Sequence, residues 1–279
     1  MAPGALGDWI KWGTARLGAL SGSPRLDAEL LLGEVLGMGR AALAVRAGEP
    51  LQAQAALRFV ALLERRRDGE PVAYLTGRRG FWSLELEVSP AVLVPRPETE
   101  LLVEWALERL RGQPAPRVAD LGTGSGAIAL ALAAERPDAQ LLATDISAEA
   151  LEQARRNAAA LRIANVEFRL ADWCAGLAGE TFDLIVSNPP YVAPDDACLE
   201  ALRYEPRRAL VAADGGMAAL AAIAQAAPAH LRGGAALLLE HGAAQGAAVR
   251  EVLRDCGYAE VATRRDLAGL ERASGGVRA

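Results

Sequence analysis

Beyond residue 116 the chain alternates short apolar runs with longer segments whose apolar residues recur every three or four positions. Apolar or β-branched runs cover 118–121, 141–144, 166–170, 182–186 and 235–239, all of strand length. Helical spacing covers 127–135, 148–161, 216–231 and 243–256. The segment 258–262 and the tail near Val277 are candidate closing strands. Strands and helices in regular alternation predict a doubly wound α/β sheet, parallel at its centre. No internal repeat is visible.

The first 75 residues carry only the helical period. Leu26, Leu30, Leu31 and Val35 fall on one stripe, with Ser23-Pro24 as a start signal and Gly37 to Gly39 as a stop. A second stripe runs from Leu51 through Leu57, Val60 and Leu63 to Arg67, ending before Gly69. These patterns predict a small helical bundle with no chemistry of its own, either a recognition module for a partner or a lid. Between 74 and 95 the period changes to two: Leu84, Leu86 and Val88 alternate with Glu85 and Glu87. A second apolar run at 91–94 follows Pro90, so a β-hairpin joining two domains is expected. Pro95-Arg-Pro-Glu-Thr-Glu100 then leads into a helix over 101–110, with Thr99 and the acids at capping positions. Capping leaves the rigid Pro-Arg-Pro unexplained.

A chain of 279 residues, 52% of them hydrophobic, has room for one large domain and a smaller one. Its net charge is −5, and the helical segment holds nine basic against eight acidic residues. Neither figure gives the basic surface of a protein that grips nucleic acid through its phosphates. Cys174, Cys198 and Cys256 are far apart, and His230 and His241 add no ligand spacing, so no metal site is expected. The odd cysteine count fits a reducing, cytoplasmic interior. Asp8 and Lys11 interrupt any apolar leader, and the weakly charged span 215–229 is too short to cross a bilayer. A soluble cytoplasmic protein is the expectation.

The chain is organised around Phe182-Asp-Leu-Ile-Val-Ser-Asn-Pro-Pro-Tyr191. A buried strand runs into Asn188-Pro189-Pro190-Tyr191, where neither proline has an N–H and each fixes φ near −65°. Pro189 also drives Asn188 out of the helical region. The tetrad is thus a stiff elbow at the C-terminal end of a strand, where open α/β sheets bind ligands. It offers carbonyl oxygens, a side-chain amide and an aromatic face, which suits a planar group carrying an NH2. A rigid turn around a buried tyrosine is the plain structural alternative.

Asp120-Leu-Gly122-Thr123-Gly124-Ser125-Gly126 joins the first strand to the first helix. Three glycines permit a tight turn and close approach of backbone to ligand, with a helix N-terminus behind. With Ala127 the run also fits the dinucleotide pattern, so alone it leaves the cofactor open. Asp145 closes the second strand, nineteen residues after Gly126, where a carboxylate can accept from ribose hydroxyls. Asp172-Trp173 closes the third, an acid for an exocyclic amine beside an indole for an adenine face. A core tryptophan is the alternative there, and a glycine turn needed only for packing is the alternative at the first loop. Together the two loops and Asp145 point to an adenosine-containing cofactor.

This series of strand ends resembles the class I S-adenosylmethionine-dependent methyltransferases, and the tetrad resembles those acting on amines. The tetrad leaves adenine N6, guanine N2 and a glutamine amide open, so a nucleic-acid base methyltransferase is the alternative function. Gly80-Phe-Trp-Ser-Leu84, Val94-Pro-Arg-Pro-Glu-Thr-Glu100, Asp120 to Leu130, and Asp266-Leu-Ala-Gly269 with Arg272 narrow the choice. Over about residues 27–272 they resemble the peptide chain release factor N5-glutamine methyltransferases. The resemblance implies a seven-stranded Rossmann-like methyltransferase sheet with a helical substrate-recognition domain at 1–73, a hairpin linker at 74–95 and the methyltransferase domain at 96–279. It implies S-adenosyl-L-methionine as cofactor and the glutamine of the Gly-Gly-Gln motif in class I release factors as target. A monomer is expected, with no stable nucleic acid and no membrane. The cofactor residues would be Gly122, Thr123, Gly124, Ser125, Gly126, Asp145, Asp172, Trp173 and Asn188. Asn188, Pro189 and Tyr191 would be catalytic, and Asn188, Pro189, Pro190 and Tyr191 would hold the substrate. Asn188 Oδ1 and the Pro189 carbonyl would accept from the amide N–H groups, with Tyr191 stacked on the amide plane. Ser125 stands where some relatives carry threonine.

Overall fold

The fold is that of a computed structural model, which describes residues 4–279; the first three residues of the helical domain expected at 1–73 lie outside the described residues. The chain divides into two units, one ending at Arg78 and one starting at Arg79.

The first unit is helical: α1 (Leu6–Leu17), α2 (Pro24–Leu36), α3 (Arg40–Val45), α4 (Ala53–Arg67) and α5 (Val72–Thr76). Pro24 opens α2 with a preset φ, and Gly37 closes it in the left-handed region at φ 64°. Trp9, Leu17, Ala28, Leu31, Leu32, Phe59 and Leu63 form its core. Leu26 and Leu30, expected on the buried stripe, are each 37% exposed, while Ala28 and Leu32 are fully buried. Leu30-Leu31-Leu32 offers three candidates for one stripe, and packing against α1 and α4 selects the last two. Gly13 of α1 approaches α4 so closely that a Cβ there would lie 3.0 Å from Phe59 Cζ. The buried Asp27 carboxylate accepts from Ser21 Oγ at 2.7 Å and Arg66 Nε at 2.8 Å, so its charge is compensated.

The second unit begins one residue into a two-stranded hairpin, β1 (Arg78–Phe81) and β2 (Leu84–Glu87), turned at Trp82 with φ 55°. The strand expected at 91–94 does not form. Pro90 and Pro95 bracket it without N–H donors. Val92 N donates within a turn to Ser89 O at 3.1 Å, and Val94 N donates to the Glu205 carboxylate at 3.0 Å. The true partner strand, containing Arg78-Arg79-Gly80, has no alternation to betray it.

There follow α6 (Glu100–Arg109), β3 (Arg117–Leu121), α7 (Ala127–Glu135), β4 (Gln140–Asp145), α8 (Ala148–Leu161), β5 (Val166–Leu170), β6 (Phe182–Ser187), α9 (Cys198–Ala201) and α10 (Ala218–Ala226). β7 (Leu231–Glu240), α11 (Gly246–Asp255), β8 (Tyr258–Arg265) and β9 (Glu271–Arg278) complete the unit. The helix expected to reach residue 231 ends at Ala226, with a 3-10 turn at Ala227–His230, because Pro228 cannot donate to the helical ladder.

The sheet order is β5-β4-β3-β6-β7-β9-β8, with β9 antiparallel to both its neighbours. The five strands from β5 to β7 are parallel. Alternate residues feed two cores. Val118, Leu184, Val186, Ala236 and Leu238 pack with α6 and α7 on one face; Ala119, Leu121, Ile185, Leu237 and Leu239 pack with α10 and α11 on the other. Both faces are covered, which is why these strands read as continuous apolar runs. Chain order reverses between β3 and β6, and this switch point opens a crevice at their C-terminal ends. No helix among the described residues is long and apolar enough to cross a membrane.

Candidate active site

A cleft of about 940 Å³, its open mouth included, occupies that crevice. The loop after β3 forms its floor. Gly122 N and Thr123 N donate to Thr144 O at 2.8 and 2.9 Å, folding the loop over the end of β4. Gly124 N donates to Asp145 Oδ2 at 2.9 Å, and Ser147 N to Asp145 Oδ1 at 2.8 Å. Each carboxylate oxygen thus carries one backbone bond and keeps a lone pair for a ligand. Burial raises the Asp145 pKa above its ordinary value, against the lowering effect of those two bonds and of Arg208.

Beneath the loop, Asp120 accepts from Thr123 Oγ1 at 2.7 Å and Ala129 N at 3.2 Å. It is fully buried, and burial pushes its pKa up to about 7. Gly122, Thr123, Gly124, Ser125, Asp145, Asp172, Trp173 and Asn188 all line the cleft. Gly126 does not. It caps α7 at φ 86°, and a Cβ there would lie 3.0 Å from Leu130 Cδ1 and 3.3 Å from Ala154 Cβ. Its place is in the packing of α7 against α8. The Trp173 ring lies over the loop, so that a Cβ on Gly122 would come within 3.0 Å of it.

The opposite wall is the elbow. Asn188 and Pro190 line the cleft; Pro189 is buried and lies outside the lining, as does Tyr191. Asn188 Nδ2 donates to Thr99 Oγ1 at 3.1 Å, and among the described residues no protein group donates to Asn188 Oδ1. Thr99 therefore makes no capping bond to α6 and serves the elbow instead. Tyr191 packs against one of the sheet's cores, set back from the wall, and its hydroxyl donates to Glu240 Oε1 at 3.1 Å. Burial, with the charge and hydrogen bond of Glu240, raises its pKa.

The loop between β6 and α10 closes the cleft. Val192 N donates to Leu210 O at 2.9 Å and Ala212 N to Val192 O at 3.0 Å, tying its ends together. Glu205, 6% exposed, accepts from Val94 N at 3.0 Å and Arg96 Nη2 at 2.5 Å, and so joins this loop to Pro95-Arg-Pro. The rigid segment that capping left unexplained is thus half of a clamp. Its neighbours Pro206, Arg208 and Ala209 face the cleft.

Sequence reasoning missed Glu205, Arg208 and Glu240. Only Glu240 left a signal: an acid ends the apolar run Leu237-Leu238-Leu239 at the same sheet edge as Asp145 and Asn188. Among the described residues, no group of three or more His, Cys, Asp or Glu side chains could hold a metal ion.

A glycine loop, a buried acid at the next strand end and a proline elbow, at the switch point of a seven-stranded sheet with one antiparallel insertion, define a class I methyltransferase. A solved structure of the T. thermophilus 16S rRNA N2 G1207 methyltransferase, in complex with AdoMet and guanosine, shares the fold at a TM-score of 0.55. It is 21% identical, over 72% of this chain and 50% of that one.

The family model of the PrmC N-terminal domain matches residues 8–77, and that of the methyltransferase small domain matches 98–231. A release factor glutamine methyltransferase of Xylella fastidiosa (strain Temecula1) is 55% identical over 90% of this chain and 92% of its own length. One from Escherichia coli (strain K12) is 50% identical over 95% of both. The chain belongs to the family of release factor glutamine methyltransferases, enzymes whose methyl donor is S-adenosylmethionine. The cleft fits that donor: Asp145 keeps acceptor capacity for ribose hydroxyls, and at Gly124 a Cβ would meet nothing within 4 Å, leaving open space above the backbone.

Proposed function

We propose that this chain methylates the side-chain amide nitrogen of the glutamine in the Gly-Gly-Gln motif of class I peptide chain release factors. The observation that carries the reading is the Asn188 amide, whose nitrogen is engaged by Thr99 while its oxygen is a free acceptor on a cleft wall. Bound S-adenosylmethionine supplies a methyl carbon activated by its sulfonium. Gly122, Thr123, Gly124, Ser125, Asp145, Asp172 and Trp173 would hold it, with Gly126 supporting the loop from behind.

An amide nitrogen is a poor nucleophile because its lone pair is shared with the carbonyl. As it forms a bond to carbon it gains positive charge, and its two N–H groups become stronger donors. Acceptors fixed on those hydrogens therefore stabilise the transition state more than the ground state. Asn188 Oδ1 is the first acceptor and the Pro189 carbonyl the second. Pro190, with no N–H, presents no competing donor. Tyr191, which the resemblance stacks on the amide plane, is set back from the cleft lining and instead holds the elbow's far end through Glu240. The proton leaves to water after transfer, so no base is required.

In this reading the helical domain (1–73) recognises the release factor and residues 74–95 link it to the catalytic domain. The reaction belongs to the cytoplasm, with the chain acting as a monomer that holds no nucleic acid stably. Incubation with methyl-labelled cofactor, a release factor and duplex DNA or ribosomal RNA tests the assignment. Label is expected in the release factor; label in the nucleic acid instead would overturn it.

A further inference from the structure

Asn188 Nδ2 donates to Thr99 Oγ1, so the Thr99 hydroxyl acts as an acceptor there and must place its own proton elsewhere. The carboxylate that faces it is Glu240, 1% exposed, at the C-terminal end of β7. Glu240 stands one position beyond Leu239, the register partner of Ser187, and so lies beside Asn188 across the β6–β7 ladder. Its Oε1 accepts from the Tyr191 hydroxyl at 3.1 Å, and its buried Oε2 has no hydrogen-bond partner among the described residues, which leaves it open to the Thr99 hydroxyl proton. Thr99 and Tyr191 are the neutral donors that favour its charged form; Arg272 adds a favourable charge and Glu98 an unfavourable one. Glu240 is outside the lining of the cleft.

We propose that Glu240 is a positioning residue: by taking the Thr99 proton it fixes Thr99 as an acceptor, and thereby fixes the Asn188 amide with its oxygen toward the substrate. The proposal rests on the role given to Asn188 above. An asparagine amide turned by 180° has almost the same shape, so only its hydrogen-bond partners decide which end faces outward. A threonine hydroxyl cannot decide alone, because it donates as readily as it accepts. An ionised carboxylate only accepts, and this removes the ambiguity. Once protonated, Glu240 can donate to Thr99, which frees the hydroxyl to donate to Asn188. The amide then turns its NH2 against the substrate's NH2, donor against donor. Burial pushes the Glu240 pKa up to about 7, which sets the pH near which this switch is expected.

The test uses the full chain and an intact release factor. Glu240→Gln and Thr99→Val, both near-isosteric, are each expected to lower kcat roughly tenfold or more while calorimetric cofactor affinity stays at the wild-type value. Thr99→Ser, which keeps the hydroxyl, restores most of kcat. Combining Glu240→Gln with Thr99→Val costs little more than either alone, because both act through one chain of bonds. Wild-type kcat falls as pH is lowered through about 7, and the Glu240→Gln profile is flat over about pH 6 to 8. Wild-type kcat in Thr99→Val, or the same acid limb in Glu240→Gln, overturns the proposal even if Asn188→Ala is inactive. Near-normal turnover by Asn188→Ala instead removes the reading of Asn188 on which it rests.

Discussion

Gly122, Gly124 and Gly126 follow β3 at φ 73°, 56° and 86°, whereas the neighbouring strand β6 ends in two prolines that have no N–H at all. The first wall of the cleft is a backbone surface. Its glycines adopt left-handed conformations, and its amides reach the end of β4 and the Asp145 carboxylate. The second wall is a side-chain surface, where one amide must be turned the right way round and prolines hold the chain still while a hydroxyl and a buried carboxylate orient it. Yet each wall has a buried acid behind it, Asp120 under the loop and Glu240 behind the elbow, and burial pushes both to about 7. The difference teaches that binding here depends on which backbone conformations are reachable, and transfer on which hydrogen-bond polarity is enforced. Substitutions on the two walls should therefore fail in different observables.

The largest effect is expected at the elbow. Asn188→Ala should lower turnover by roughly 10²–10³, by analogy with the loss of one oxyanion-hole donor, and leave calorimetric cofactor affinity nearly unchanged. An equal fall in both would erase the division between the walls. Asp145→Ala is the mirror case, weakening S-adenosylmethionine binding by roughly 1–3 kcal/mol through lost charge-assisted hydrogen bonds. Unchanged affinity would contradict it. Two glycine variants divide the loop itself. Gly126→Ala should lower stability by about 1–2 kcal/mol, since its Cβ meets Leu130 at positive φ, with no loss of affinity in the folded fraction. Gly124→Ala should put its methyl into open cleft and lose affinity. Denaturant melts beside calorimetry distinguish the two, and identical behaviour of the pair would sink the distinction.

The smallest effect is a pH dependence. Glu240 is raised by burial from an ordinary value of 4.5 to about 7, so between those limits the folded chain holds a proton that the unfolded chain has released. The stability from this source is complete below 4.5 and is lost as pH rises through about 7. Glu240→Gln removes that dependence, so thermal melts should show the variant gaining on the wild type as pH rises across this window. A difference in Tm that stays constant with pH would refute it.

Much of the sheet is legible in the chain because its central strands are buried on both faces, while Ala127–Glu135 is apolar all round and Ala148–Leu161 carries one clear stripe. The helices Ala127–Glu135 and Ala148–Leu161 fall where apolar spacing puts them. What escapes is set by partners distant in sequence. β1 is polar and glycine-bearing, so its pairing with β2 leaves no periodic trace. Thr99 reads as a helix cap because of its local position, yet the bond it makes is to a residue 89 positions away. Arg96 and Glu205 are separated by 109 positions, and neither charge announces the other. The glycine loop and the elbow are different: their chemistry lies in consecutive residues, where local conformation alone demands those residue types. Gly126 and Tyr191 mark the boundary of that success. Both sit in the right motif, but packing turns them away from the cleft lining.

The claim on which the account depends is that this cleft acts on the side-chain amide nitrogen of a glutamine. Tandem mass spectrometry of an intact class I release factor, after incubation with the full chain and S-adenosylmethionine, tests it most directly. A single methyl group is expected on the side-chain nitrogen of the Gly-Gly-Gln glutamine, absent when that glutamine is replaced. A methyl group on any other residue, or one that persists after the replacement, would contradict it.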